Sequence, residues 1–202
     1  MVGENNTVAR REFLKYAGLL AAGLGAGCST VTTDYEKAQK HFEEGDYIHA
    51  IRWLDDVIAQ EPDNPDAHYY RGMSYFNLNQ FNEAIVDYDA AIKHTPHAKL
   101  YTNRGFAYSM RAVTKGARED ADRAITDFEQ SLKLHAASPD AHAGMGYTRV
   151  FQEDFDKAYA SFKEALRLVK HEQIPFKHLQ DERVEQAYKM VRERLGINDD
   201  PF

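Results

Sequence analysis

An alanine recurs along this chain at Ala50, Ala84, Ala124 and Ala158, and a bulky side chain follows each by four places, at Leu54, Tyr88, Phe128 and Phe162. A small residue recurs ahead of them at Ala38, Gly72, Gly105 and Gly146. The alanines stand 34, 40 and 34 residues apart, the small residues 34, 33 and 41. Four units held in phase restrict the fold more than any single motif does. A unit of this length cannot bury an apolar face alone and must stack on its neighbours. The spacing predicts two short antiparallel helices per unit, the small residue of the first letting it approach the alanine of the second while the aromatic fills the space beside them. Turn signals separate the units: Pro62-Asp63-Asn64-Pro65, Pro96-His97 and Ser138-Pro139-Asp140, where proline ends one helix or opens the next.

The pattern W-x2-L-G-x2-Y, A-x3-F, P of the tetratricopeptide repeat fits these residues. The second unit fits best, with His68, Arg71, Gly72, Tyr75, Ala84, Tyr88 and Pro96. The third carries Tyr101, Arg104, Gly105, Tyr108, Ala124 and Phe128, and the fourth His142, Met145, Gly146, Arg149, Ala158 and Phe162, with Lys170 in place of proline. The first, with Asp34, Lys37, Ala38, His41, Ala50, Leu54 and Pro62, departs most at its front. The chain thus resembles a tetratricopeptide-repeat protein. That resemblance implies an all-α fold, a right-handed α-solenoid of about four helix pairs plus a C-terminal capping helix. The units are placed at 31–64, 65–97, 98–138 and 139–172, with the capping helix and tail at 173–202.

Two departures from the period carry structural information. The distance from small residue to alanine is 12 in three units and 19 in the third. Seven added residues are about two helical turns, so both helices of the third unit should lengthen by about a turn and project a tip near Gly116. That tip is either a tolerated insertion or a lip that touches a partner. After the Ile174-Pro175 break, Val184, Ala187, Tyr188, Val191 and Leu195 share one helical face. Gly196 and Ile197 follow as a terminating pair.

Residues 1–27 read as an address rather than as part of the fold, with 28–33 as a short linker. Arg10-Arg11 followed by Glu12, Phe13, Leu14 and Lys15 resembles the twin-arginine export signal. The apolar run after it holds four glycines, Gly18, Gly23, Gly25 and Gly27, each costing roughly 1 kcal/mol in a helix. It is shorter than the ~20 apolar residues a bilayer span needs. Gly25-Ala26-Gly27 before Cys28 resembles a lipoprotein signal, which implies acylation of Cys28. A cleaved soluble protein and an uncleaved anchor are the alternatives.

The chain holds 25 Lys+Arg and 32 Asp+Glu. Residues 1–27 contain Arg10, Arg11, Lys15, Glu4 and Glu12, so the remainder has 22 basic against 30 acidic residues, a net charge of −8. Such a balance supplies no basic footprint for nucleic acid and is repelled by anionic lipid. Cys28 is the sole cysteine, which excludes an intramolecular disulfide and a thiolate zinc cluster. No cofactor and no metal are expected: His94 and His97 straddle a helix end near Pro96, and the remaining histidines are scattered. Acidic pairs such as Asp55-Asp56 and Asp87-Asp89 read as solvated faces, and no nucleophile sits in an elbow or triad context.

Carried onto this chain, the groove positions of the repeat are Tyr35, Tyr69, Met73, Phe76, Asn77, Phe106, Met110, Tyr147 and Phe151, with Gln39, Phe42, Thr102, Ser109 and Val150 beside them. The lysine, arginine and asparagine set with which chaperone-tail-binding members hold a carboxylate is absent from these positions. An apolar segment or an amphipathic helix of a protein partner suits them, the alternative being that several merely pack between neighbouring first helices. The functional expectation is an exported, lipid-anchored interaction module that scaffolds or assembles a complex at a bacterial cell envelope. A soluble periplasmic location is the alternative placement. A transient assembly chaperone for a co-exported client is the alternative function, and an enzyme comes third.

Overall fold

The computed structural model describes residues 27–172 and 182–197, with side chains from 31 to 169 and from 184 to 197. The export segment at 10–15 and the Ile174-Pro175 break lie outside the described residues. Helices α1 (Gly27–Glu43), α2 (Tyr47–Gln60), α3 (Pro65–Asn77), α4 (Phe81–His94), α5 (Ala98–Lys115), α6 (Arg118–Leu134), α7 (Pro139–Phe151), α8 (Phe155–Glu172) and α9 (Glu182–Leu195) follow in order, with no strand among the described residues. Each packs on the next, and α1, α3, α5 and α7 also touch in sequence, forming one layer of first helices. The stretch 28–33, expected as a linker, is helical and belongs to α1.

Local chemistry explains the boundaries. Pro65 and Pro139 occupy first-turn positions of α3 and α7, where a missing N–H costs nothing. The Asn64 side chain accepts the N–H groups of Asp66 and Ala67 at 3.1 and 3.0 Å, and Ser138 accepts that of Ala141 at 3.3 Å. Within each unit a left-handed residue turns the chain: Gly45, Asn79, Gly116 and Glu153, with φ between +59° and +79°. The third unit is longer as the spacing requires, with 18 residues in α5 and 17 in α6 against 13 and 14 in α3 and α4. Gly116 is at its tip. At the other end the Ile197 N–H reaches the Arg192 carbonyl at 2.9 Å around left-handed Gly196, the closure expected of that pair.

The recurring alanines and the bulky residues four places on are all buried. The reason for glycine differs from the one the spacing suggests. A Cβ on Gly72 would meet the Tyr88 ring at 2.9 Å, on Gly105 the Phe128 ring at 2.8 Å, and on Gly146 the Phe162 ring at 2.7 Å. The aromatic itself, rather than the alanine, fills the space a side chain would take. Phe128 is held from both sides, because a Cβ on Gly144 of the next unit would stand 2.4 Å from it. On α9, Val184, Ala187, Tyr188 and Val191 are buried against Ala143, Ala158 and Phe162, with Leu195 at the edge of the cluster.

Candidate functional site

A groove of about 920 Å³ opens along the first helices, with α3 and α5 as its floor. Of the nine positions expected from the sequence, Tyr69, Met73, Phe76, Asn77 and Phe106 line it. The other four do not. Tyr35 packs edge-on against Tyr70 with ring centroids 5.9 Å apart. Met110 is buried, and beside it Ser109 accepts a hydrogen bond from Thr148 of α7 at 2.9 Å, so this part of the layer is sealed by its own contacts. Tyr147 and Val150 pack against the cluster to which α9 contributes, and Phe151, at the end of α7, is half-buried outside the groove. Phe106 reaches the groove only with its edge, being buried against the Phe128 ring at 5.2 Å.

The groove is less apolar than its predicted positions suggest. Lys99, Asn103 and His97 also line it. Tyr69 joins the two characters, since the Asn103 amide donates to its hydroxyl at 3.3 Å and the Lys99 ammonium stands 5.2 Å from its ring centre. Burial pushes the Tyr69 phenol up, so it is a neutral donor. Glu43 and Asp140 also line it and bring negative charge. Lys99 and Asn103 sit in the first and second turns of α5, each three residues before a chosen position (Thr102 and Phe106), so helical spacing already sets them beside that face, although the consensus positions do not include them.

On the opposite side, charges expected to be solvated form the ties between repeats. Arg71 donates to both oxygens of buried Asp87 at 2.8 and 2.7 Å and to Asp55 of the preceding unit at 2.6 Å. One unit on, Arg104 repeats this with Asp127 at 2.8 and 2.7 Å and with Asp89 at 2.6 Å. Burial works against both arginine charges, but the carboxylates outweigh it and raise each pKa. Asp87 is therefore a buried ion-pair partner, not a solvated residue, and His68 Nδ1 lies 2.9 Å from it as well. The available signal was the period: Asp55 and Asp89 are 34 apart, Asp87 and Asp127 40 apart, in phase with the aromatics.

His94 and His97 serve local roles. His94 pairs with Asp63 at 3.2 Å, and His97 Nδ1 accepts the Lys99 N–H at 3.2 Å to cap α5. Among the described residues no helix is long and apolar enough to cross a membrane.

Paired helices repeating in register, with a groove along the first of each pair, define a repeat solenoid. Residues 38–97 match tetratricopeptide-repeat profiles: that of the tetratricopeptide repeat matches residues 65–97, and a second TPR repeat profile matches 38–79. It is 37% identical to human tetratricopeptide repeat protein 13 over 99 residues, 49% of this chain and 11% of that one. Mouse RNA polymerase II-associated protein 3 is 31% identical over 99 residues, with 14% of its length covered. The chain thus spans a small fraction of either relative. Among solved structures, MamA protein superposes with a TM-score of 0.65 at 20% identity, covering 85% of this chain and 86% of the other. The thermophilic TPR protein TTC0263 of Thermus thermophilus gives 0.65 at 17%, covering 83% and 84%. The second TPR domain of human RPAP3, solved in complex with the HSP70 peptide SGPTIEEVD, gives 0.55 at 22%, covering 61% and 98%. The fold is accordingly the all-α TPR solenoid closed by a C-terminal helix.

Proposed function

We propose that this chain is a non-catalytic protein-binding module whose groove takes an apolar segment of a partner protein. The observation that carries this reading is the alternation of Tyr69, Met73 and Phe76 with the amides of Asn77 and Asn103 along one open channel. Aromatic and thioether surfaces take apolar side chains, and amides take the backbone between them. The second TPR domain of human RPAP3, of related fold, was solved in complex with a peptide, which supports a peptide as the class of ligand. We further propose export by the twin-arginine route and acylation at Cys28, so that the solenoid works at the outer face of a cell-envelope membrane as scaffold or assembly factor. Support for that part is the Arg10-Arg11-x-Phe13-Leu14-Lys15 run and the small residues before Cys28.

Lys99 and Asn103 favour a second reading. They supply part of a carboxylate-holding set in the groove, so an acidic group on the bound segment would gain from Lys99.

Cross-linked capture from envelopes with the intact chain and with Asn77→Ala, Lys99→Ala tests the groove, because both side chains are exposed and their loss spares the fold. Loss of one defined protein from the captured set is the expected result. Identical sets with both chains would remove the groove from the function. Lys99→Ala alone separates the readings, since an acidic ligand loses affinity and a purely apolar one does not. Export is tested by fractionation of Arg10→Lys, Arg11→Lys, with retention in the cytoplasm expected. Cys28→Ser tests acylation by the loss of lipid mass and of membrane association.

A further inference from the structure

Two ordinary turn motifs in the first repeat bring three ligating side chains together. The Asp46 N–H bonds to the His41 carbonyl at 2.8 Å and the Gly45 N–H to that of Phe42 at 3.1 Å, with Gly45 left-handed at φ +79°. This closure of α1 sets residue 46 beside residue 41. Asp46 is also the N-cap of α2, its Oδ1 accepting the His49 N–H at 3.3 Å, and that sets residue 49 beside residue 46. The cap uses one carboxylate oxygen and leaves the other facing both rings: Asp46 Oδ2 is 2.7 Å from His49 Nδ1 and 3.3 Å from His41 Nδ1. One donor atom from each of the three residues lies within 4.8 Å of the others.

We propose that His41, Asp46 and His49 bind a divalent transition-metal ion of the zinc type. Two imidazoles and a carboxylate are the donor set that borderline ions such as Zn²⁺ take, and three protein ligands leave a fourth position for water. Metal–ligand bonds of about 2.0–2.2 Å in a tetrahedron put ligand atoms about 3.3 Å apart, the separation His41 Nδ1 and Asp46 Oδ2 already have. His49 must open by roughly half an ångström on the same geometry; its ring stacks on that of His41 with centroids 5.3 Å apart and has its other side open to solvent. Its Nδ1 proton leaves to solvent as the ion binds.

The rival reading is a plain helix cap with a histidine on it. Two observations weigh against that. His41 Nδ1 is a buried atom that, although 3.3 Å from Asp46 Oδ2, makes no well-formed hydrogen bond, a costly state for a polar atom unless something else meets its lone pair. The fourth repeat builds the same turn, Asp154 N–H to Arg149 carbonyl at 2.9 Å, and there closes it with a Lys157–Asp154 ion pair at 2.6 Å. The first repeat holds histidines where the fourth holds cations, and leaves a donor atom unspent. The site borders the groove, whose rim includes Phe42 and Tyr47, so a bound ion would tie α1 to α2 at that rim.

The test is a Zn²⁺ titration of the metal-stripped full chain by calorimetry, repeated with Asp46→Asn, His49→Gln and, as control, Asp154→Asn. Asparagine caps as well as aspartate does, so Asp46→Asn removes the charged ligand and keeps the helix start. The expected result is one ion per chain, weakened about tenfold or more by either ligand substitution and unchanged in the control. Nitrogen NMR of the histidine rings should show Zn²⁺ shifting Nδ1 of His41 and His49 alone. No binding by the intact chain, equal affinity in Asp46→Asn and His49→Gln, or shifts at other histidines would each overturn the assignment.

Discussion

Single residues in this solenoid act through contacts between repeats. Phe128 is the clearest case, caught between Gly105 of its own unit and Gly144 of the next. A ring pressed from both sides has nowhere to retreat, so Gly144→Ala is expected to cost about 1–3 kcal/mol. Pairing it with Phe128→Leu should return part of that loss, and chemical denaturation of both variants measures the coupling. The arginine ties offer a second handle. Bonds from Arg111 to both oxygens of Asp120, each 2.7 Å, hold that carboxyl below the usual carboxylate range. A carboxylate with a lowered folded value contributes stability that is complete above about pH 4 and is lost as pH falls through the folded value. Asp120→Asn should therefore unfold at lower urea than the unsubstituted chain at neutral pH, with the gap closing in acid. A gap independent of pH would mean the ion pair does not contribute.

At the scale of elements, caps and left-handed turns carry the phase that the periodicity announces. Asn64 satisfies two orphan N–H groups at the start of α3, the floor of the groove. Asn64→Ala is expected to cost about 1 kcal/mol and to loosen the first turn of α3, read as faster amide exchange at Asp66 and Ala67. Asn64→Ser should restore most of it. Much of this level was legible: the lengthened α5 and α6, the tip at Gly116 and the Gly196-Ile197 closure all follow from spacing and turn chemistry. The linker at 28–33 was not, because a stretch of small and β-branched residues says little about whether a following helix extends back through it.

Taken whole, the solenoid is a stack in which each unit leans on the next, and its stability is a sum over neighbours. The last unit leans on α9, whose Val184, Ala187, Tyr188 and Val191 cover Ala143, Ala158 and Phe162. A chain ended at Glu172 should lose that cover, lowering the thermal midpoint and binding an apolar dye. An unchanged midpoint would show that α9 adds nothing to the stack. The same helix sets the length of the groove, because Tyr147 and Val150 pack into the cluster that α9 completes and so leave the partner surface to α3 and α5.

The sequence by itself determined the repeat, its helix pairs, their turns and their lengthening in the third unit. Those depend on contacts within about 34 residues and on backbone chemistry that each residue type carries with it. It also placed Tyr69, Met73, Phe76, Asn77 and Phe106 on the groove. Only the tertiary structure decided that Asp87 is buried against Arg71 and that His41 and His49 meet across Asp46. The first depends on the angle at which α3 meets α4 and the second on how the turn between α1 and α2 closes, and neither is set by the side chain's own chemistry.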